Sequence, residues 1–150
     1  AYNLFLTILF LKHMKMDIFS KEKRSNIMGR VRGKNTNPEL FVRSLLHRCG
    51  YRFRLHNKDL PGKPDIVLPK YKTIIFVHGC YWHRHNNCSR GESTPKTNKD
   101  FWEKKFQDTI QRDQENLEDL TKKGWKTMVI WQCELKNEAT LSTKLKTHLK

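Results

Sequence analysis

Residues 73–88 of this chain have the sequence TIIFVHGCYWHRHNNC, in which an apolar run passes directly into a cluster of histidine, cysteine and aromatic residues. The run Thr73–Val77 is typical of a buried, central β-strand. Residues 78–88 hold three histidines, two cysteines and two aromatic residues. So many metal-ligand side chains in one short segment indicate a metal site that follows the strand.

The composition of the chain indicates a partner that carries negative charge. Thirty lysine and arginine residues outnumber fifteen aspartate and glutamate residues, which gives a formal net charge of +15 in 150 residues. Such a surplus is typical of proteins that bind the phosphate backbone of nucleic acids. The lysines are spread along the chain and form no single basic amphipathic helix, so binding to a membrane surface is not favoured.

The four cysteines, Cys49, Cys80, Cys88 and Cys133, are interpreted as reduced thiols and not as a disulfide framework. The apolar run over residues 4–11 is too short to span a bilayer, and it has neither the basic segment nor the cleavage site of a signal peptide. We therefore expect a cytoplasmic protein, associated with the nucleoid, that has no membrane segment.

The sequence divides into three segments: an N-terminal extension (residues 1–15), a basic arm (16–36) and a main domain (37–150). Two glycines, Gly29 and Gly33, favour a flexible arm. We expect the arm to become ordered on DNA, and an arm that stays solvated is the alternative. The side chains of the arm that are predicted to contact DNA are Lys21, Lys23, Arg24, Arg30 and Arg32.

Hydrophobic periodicity predicts a mixed α/β main domain with the order helix, three strands, helix, strand, helix. Asn37 as N-cap, followed by Pro38 and Glu39, is typical of a helix start, and Gly50 is typical of a helix end. The other predicted elements are strands over Tyr51–His56, Asp65–Leu68, Lys72–Val77 and Trp125–Trp131, an exposed loop over Cys88–Asn98, a helix over Asp100–Lys122, and a final helix capped by Asn137.

Asp65 begins the strand that precedes the histidine cluster, directly after the turn at residues 61–64. A carboxylate at such a sheet edge can bind a divalent cation. Hard oxygen ligands suit Mg²⁺, whose other positions are taken by water and phosphate oxygens. An ordinary turn aspartate is the alternative, but the position one strand before His78 favours metal binding.

Cys80, His85 and Cys88 have chelating spacing, and Cys133, just past a predicted strand, can complete a tetrahedral site of three cysteines and one histidine. A closed site of this kind is structural, because it fixes a polar loop that burial alone could not hold. His83 is an alternative for the histidine ligand, although we favour His85.

Two histidines and two aromatic residues of the segment remain. Neutral imidazoles at His78 and His83 can take a proton from water that attacks phosphorus, or give one to a leaving oxygen. Tyr81 and Trp82 are large for a polar loop with little to pack against, and flat rings can wedge between the base steps of DNA. Trp102, at the start of a predicted helix, suits either a wedge or the core.

Four motifs, spread over residues 16–137 and in a consistent order, resemble those of the very short patch repair (Vsr) endonucleases. The resemblance implies a restriction-endonuclease-like fold, with a mixed central sheet flanked by helices and a structural zinc site. It also implies an activity: a nick in one strand beside the thymine of a T·G mismatch, which arises when 5-methylcytosine is deaminated. The motifs are Asn37-Pro38-Glu39, Gly62-Lys63-Pro64-Asp65-Ile66-Val67, Phe76-Val77-His78-Gly79-Cys80-Tyr81-Trp82-His83 and Trp131-Gln132-Cys133-Glu134-Leu135.

The resemblance assigns a role to each matching residue. Asp65 matches the Mg²⁺ carboxylate, and Val77 matches the position whose main-chain carbonyl binds the same ion. His83 matches the histidine that activates water, His78 a second active-site histidine, and Glu39 an acid from the preceding helix. The matched zinc ligands are Cys80, His85, Cys88 and Cys133, and the matched wedge residues are Tyr81, Trp82 and Trp102.

The main domain is therefore expected to be the endonuclease domain of a monomer that acts on double-stranded DNA containing a T·G mismatch, with a MutL-type mismatch-repair protein as partner. Two other functions remain open at this point. One is a restriction-type endonuclease that cuts matched DNA at a specific sequence. The other is a zinc-stabilised DNA-binding module without catalytic activity.

Overall fold

The computed structural model describes residues 19–150, so the extension predicted over residues 1–15 lies outside the described part of the chain. Contacts divide the chain into a first unit that ends at Gly33 and a larger unit, Lys34–Lys150. Within the described residues, no helix is both long enough and apolar enough to cross a membrane.

The first unit contains helix α1, Lys21–Gly29. The Ser20 side chain caps this helix by accepting a hydrogen bond from the Lys23 amide at 3.2 Å. Residues 21–29 therefore form a helix and not the irregular segment that the glycines favour, because the Ser20 side chain caps the helix start. The ordering of the arm on DNA stays a prediction. No residue of α1 is buried, and all five basic residues predicted to contact DNA lie on α1 or just after it.

The larger unit is a mixed α/β domain, as predicted. Its sheet has four strands in the order β1-β2-β3-β4, and β3 lies inside the sheet as expected. The elements are α2 (Asn37–Arg48), β1 (Arg54–Leu55), β2 (Ile66–Leu68), β3 (Thr73–His78), α3 (Ser89–Glu92), α4 (Lys99–Lys122), β4 (Lys126–Trp131) and α5 (Glu138–His148).

The sheet contains both antiparallel and parallel strand pairs. Strands β1, β2 and β3 pair antiparallel, whereas β3 and β4 pair parallel with His78 opposite Trp131. A parallel pair needs a long crossover, and here the crossover contains α3 and the 24-residue helix α4. The carboxyl ends of β3 and β4 therefore lie side by side.

Alternate residues of the strands face two apolar cores, because side chains of a strand point to opposite faces of the sheet. On one face, β2, β3 and β4 pack against α2 and α5. On the other face, Val67, Ile74 and Phe76 pack with Leu120 of α4. The buried members of the first core are Val42, Leu45, Leu46, Ile66, Leu68, Ile75, Met128, Ile130, Leu141, Leu145 and Leu149.

Three local predictions differ from the structure. The N-cap of α2 is Thr36 and not Asn37, because Thr36 and Glu39 form a reciprocal capping box that only this spacing allows. The strand predicted over Tyr51–His56 is reduced to β1. The predicted loop Cys88–Asn98 includes the single-turn helix α3.

Candidate functional site

Three groups of metal-ligand side chains are found among the described residues, and together they contain every catalytic side chain and metal-binding side chain that the sequence predicted. Within each group, the potential ligand atoms all lie within 4.8 Å of one another. The groups are the Cys/His cluster (Cys80, His85, Cys88 and Cys133), the His/Asp cluster (His78, His83 and Asp113) and the acidic cluster (Glu39, His56 and Asp65).

The Cys/His cluster combines two segments that are far apart in sequence. Cys80, His85 and Cys88 follow β3, whereas Cys133 follows β4. The His85 Nδ1 atom lies 3.3 Å from the Cys133 Sγ atom. The parallel pairing of β3 with β4 thus brings the fourth ligand to a loop that supplies the other three.

The pKa values of two thiols in the cluster, Cys88 and Cys133, are shifted in opposite directions. The backbone N–H groups of Gly91 and Arg90 lower the pKa of Cys88 to about 6, so this thiol is ionised near neutral pH. Burial and then the neighbouring thiol of Cys80 raise the pKa of Cys133 to about 11. A bound cation would favour the thiolate form of both groups. Three sulfurs and one imidazole nitrogen are the donor set of a closed structural metal site.

Gly91 permits α3 to lie directly against the loop that carries the Cys/His cluster. A Cβ atom at this position would overlap the main-chain oxygen of His85. Any side chain at Gly91 would therefore displace either α3 or His85. Since α3 also supplies the backbone N–H groups that stabilise the Cys88 thiolate, this glycine helps to position two of the four potential ligands.

His83 and His85 belong to different clusters although only Arg84 separates them. Arg84 has a φ of +54°, in the left-handed region, and this residue turns the chain between the two histidines. His85 stacks on Trp131 with 4.3 Å between ring centroids, whereas His83 stacks on His78 with a centroid separation of 3.8 Å. Of the two histidines, the structure places only His85 beside the three cysteines.

The His/Asp cluster joins the loop after β3 to helix α4. The His83 Nδ1 atom lies 2.5 Å from the Asp113 Oδ2 atom, and both side chains are about one-fifth to one-quarter exposed (24% and 20%). A carboxylate accepts only, so Nδ1 carries the proton of this hydrogen bond. In neutral His83, Nε2 is then left unprotonated and able to accept a proton.

His78 lies beneath His83 and is almost inaccessible, with 8% of its surface exposed. Burial and the neighbouring His83 lower the pKa of His78 to about 4, although Asp113 has the opposite effect. His78 is therefore neutral at pH 7, and its ring supports the ring of His83 without adding a charge to it.

Asp113 was not predicted as a site residue, yet the sequence contains a signal for it. On α4, apolar residues recur at Phe106, Ile110, Leu117 and Leu120, and position 113 falls on the same stripe of the helix. A charged residue on the apolar stripe of a helix must find a partner when it is partly buried. Here the partner is His83.

Asp65 stands just before β2, and its Oδ2 atom accepts a hydrogen bond from the Val77 amide of β3 at 2.8 Å. Burial raises the pKa of Asp65, and the Val77 amide partly offsets the increase. Among the described residues, no donor is hydrogen-bonded to Oδ1. A partly buried carboxylate with one free oxygen fits a divalent ion, which would compensate for the lost hydration.

Glu39 is brought close to Asp65 but is already fully engaged. Its Oε1 accepts from the Thr36 hydroxyl at 2.8 Å, and its Oε2 accepts from the Asn35 amide at 3.0 Å and from Arg43 at 2.9 Å. The side chain is 5% exposed. The carboxylate thus closes the start of α2 and binds Arg43, which the sequence analysis did not identify, as it did not identify His56.

The aromatic residues of the loop pack against α4, so the expectation that they have little to pack against was wrong. Tyr81 contacts Phe106 edge-on, with ring centroids 5.4 Å apart, and Trp82 lies 6.2 Å from Trp102. Tyr81, Trp82 and Trp102 all remain partly exposed, and the neighbouring Phe101 is 61% exposed. These aromatic residues are thus partly open to solvent, and they lie on the same loop and the same helix as the His/Asp cluster.

Comparison with known proteins gives consistent matches over most of the chain. A family model described as DNA mismatch endonuclease Vsr matches residues 16–90. The type II nicking enzyme V.XorIIP of Xanthomonas oryzae pv. oryzae is 49% identical over 133 residues, which cover 89% of this chain and 96% of the relative.

Two further relatives match over similar lengths. The type II nicking enzyme V.NmeAIP of Neisseria meningitidis serogroup A is 46% identical over 129 residues, covering 86% of this chain and 91% of the relative. The DNA mismatch endonuclease Vsr of Escherichia coli is 34% identical over 131 residues, covering 87% of this chain and 83% of the relative.

Proposed function

This chain belongs to the Vsr family of DNA endonucleases, and we propose that it nicks one strand of double-stranded DNA beside the thymine of a T·G mismatch. The observation that carries the proposal is that Asp65 and the hydrogen-bonded pair His83–Asp113 both lie at the carboxyl end of β3. Asp65 accepts a hydrogen bond from the Val77 amide there, and His83 stacks on His78. The family establishes that the substrate is DNA, and the choice of mismatch is the proposal.

We propose that the sheet and its helices form a restriction-endonuclease-like core that is stabilised by a structural zinc ion. The Cys/His cluster supports this identity, because three thiolates and one imidazole in a closed site suit Zn²⁺. Cys80, His85, Cys88 and Cys133 would hold the ion. Its contribution would be to fix the loop that also carries His83 and the aromatic residues.

Asp65 would hold the catalytic divalent ion through its free carboxylate oxygen, together with the main-chain carbonyl of Val77. We propose Mg²⁺, because an all-oxygen set of few protein ligands leaves room for water and phosphate oxygens. When bound, such an ion stabilises negative charge on the phosphate oxygens. The hydrogen bond from the Val77 amide keeps the Asp65 carboxylate oriented in its absence.

His83 would act as the general base. Asp113 holds the proton of the imidazole on Nδ1, so Nε2 is free to take a proton from the water that attacks phosphorus. Once His83 is protonated, its positive charge faces the Asp113 carboxylate, which stabilises it. The phosphorus–oxygen bond to the leaving strand would then break, and the leaving oxygen would take a proton from protonated His83 or from water. Neutral His78 would fix the plane of the His83 ring from below, and so act through His83.

Recognition of DNA would combine charge with aromatic contacts. The formal net charge of +15 favours binding to the phosphate backbone. Tyr81, Trp82 and Trp102 would enter the stack beside the mismatched pair, where weak pairing lowers the cost of separating the bases. The basic residues on and after α1 would contribute further backbone contacts.

Two alternatives predict different products. The names of the relatives describe nicking enzymes, which favours cleavage of one strand over the double-strand cut of a restriction-type enzyme. The His83–Asp113 pair favours catalysis over a purely DNA-binding module, since such a module has no need of an oriented imidazole. We also propose that the protein acts as a monomer with a MutL-type partner, which rests on the family resemblance alone.

The decisive test is a nicking assay on duplexes that differ only in one base pair. We expect Mg²⁺-dependent cleavage of one strand next to thymine in a T·G duplex, and a rate at least about a hundredfold lower on the matched T·A and C·G duplexes. Products would be resolved on denaturing gels with each strand labelled in turn. Cleavage of both strands of a matched duplex at one sequence would instead identify a restriction-type enzyme.

Removal of one zinc ligand should destabilise the protein. We expect the wild-type protein to contain about one equivalent of zinc, and Cys133→Ser to lose most of it and to unfold at a lower urea concentration. Metal analysis and urea denaturation would check both results. Cys49→Ser is the matched control, because Cys49 Sγ lies near Ser142 Oγ (3.6 Å) and outside the cluster. Full zinc content in Cys133→Ser would contradict the four-ligand site.

A further inference from the structure

Arg43 lies in the middle of the acidic cluster. Its guanidinium NH2 group lies 2.9 Å from Glu39 Oε2 and 3.1 Å from His56 Nε2, and its NH1 group donates to Asn35 Oδ1 at 2.8 Å. The side chain is 11% exposed. The Arg43 guanidinium therefore contacts Glu39 and His56, the two side chains that could otherwise form a metal site together with Asp65.

The cation determines the state of the groups around it. His56 Nε2 lies 3.1 Å from the Arg43 guanidinium, which only donates, and 3.3 Å from Asn35 Oδ1, which only accepts. Nε2 therefore either accepts from Arg43 or donates to Asn35, and in both cases it has no lone pair free for a metal ion. Glu39 Oε2 likewise directs a lone pair at Arg43. Neither side chain can bind a metal through these atoms while Arg43 stays in place.

The backbone supports the same arrangement at some cost. Asn35 and His56, which both contact Arg43 through their side chains, have φ angles of +54° and +48°. Non-glycine residues seldom adopt this left-handed region, and they do so where the surrounding contacts require it. Two such residues that meet at one guanidinium indicate that the cluster is built around Arg43.

We propose that Arg43 takes the place of a second divalent ion beside Asp65, so that the enzyme binds one divalent ion in its active site and Glu39 and His56 are not metal ligands. The inference rests on the proposed function, because it assumes that Asp65 binds the first ion. Arg43 is a positioning residue in this account. It supplies a fixed positive charge that does not depend on the concentration of metal.

Like charges explain why the two cations exclude each other. A divalent ion bound by Glu39 and His56 would lie within a few ångströms of the guanidinium. Like charges repel strongly at such a short distance in a partly buried site, and a divalent ion carries twice the charge of a monovalent one. Removal of Arg43 should therefore open the second site.

The test counts bound Mn²⁺ ions by the loss of the free-ion electron paramagnetic resonance signal, with zinc already in the Cys/His cluster. We expect one Mn²⁺ per wild-type chain, lost in Asp65→Ala. Arg43→Ala should bind a second Mn²⁺ at least about tenfold more tightly than the wild type does, and adding Glu39→Gln should abolish the gain. Arg48→Ala is the matched control, since Arg48 pairs with Glu138 on the exposed side of α2. It should bind one ion.

Two results would overturn the inference alone: a wild-type chain that binds two Mn²⁺ ions, or a folded Arg43→Ala that still binds one. His56→Gln decides the matter even if Arg43→Ala fails to fold, because unchanged Mn²⁺ binding supports the inference and loss of an ion contradicts it. A third outcome is that Asp65→Ala binds as many Mn²⁺ ions as the wild type does. That result would contradict the proposed role of Asp65 in metal binding, and the inference with it.

Discussion

Asp65→Asn should lower the rate of nicking of a T·G duplex by at least about a thousandfold, or roughly 4 kcal/mol of transition-state stabilisation, while DNA affinity changes little. The neutral amide cannot replace a carboxylate as a ligand for a hard divalent ion. The introduced asparagine would still accept the hydrogen bond from the Val77 amide through its side-chain oxygen, so the local fold should persist. Single-turnover nicking rates and binding in Ca²⁺ would separate the two effects.

The matched control for this variant is Asp59→Asn. Asp59 is an exposed aspartate of the preceding loop, so the control removes the same charge from the same region. Its nicking rate should equal that of the wild type. If Asp65→Asn nicked DNA at the rate of the control, the proposal that Asp65 binds the catalytic ion would be contradicted.

Asp113→Asn should lower the nicking rate by about a hundredfold to ten-thousandfold. An asparagine amide can donate to His83 Nδ1, which would place the imidazole proton on Nε2 and leave no base for the attacking water. It also removes the negative charge that faces the protonated ring. Binding of the T·G duplex should be unaffected, because Asp113 is not among the residues proposed to contact DNA.

A double-mutant cycle tests whether His83 and Asp113 act together. If they do, His83→Ala combined with Asp113→Asn should be no slower than His83→Ala alone. Asp119→Asn, an exposed aspartate on the same helix that pairs with Lys122, serves as the control and should keep the full rate. Independent, multiplicative losses in the double variant would show that Asp113 acts elsewhere.

Several parts of the structure were predictable because local signals agree with the fold. The apolar run before His78 could only be an interior strand, and β3 pairs on both sides. The long helix after residue 98 follows from its apolar stripe and its glycine stop at Gly124. The spacing of Cys80, His85 and Cys88 was sufficient to predict a cluster, and the structure brings these residues together with Cys133.

Other features depend on contacts that the sequence does not record. Arg43 and His56 meet only because β1 runs beside β2 and α2 packs on the same face, so no local pattern relates them. Asp113 differs from these two residues, because its place on the apolar stripe of α4 is visible in the sequence. It was overlooked because a single acid in a helix rich in charged residues resembles a solvated residue. Thr36 and Asn37 are both good N-caps, and the choice between them depends on the reach of Glu39.

The side-by-side ends of β3 and β4 have a consequence for the interpretation of genome sequences. A shortened gene that encodes only residues up to about 90 would retain Asp65, His78 and His83 and would still match the family model. Its product would lack Asp113, Cys133 and β4, which is one of the two strands that pair with β3. Such a gene would be recognised as a family member, yet its product would lack the partner of the proposed catalytic base and one of the four potential metal ligands.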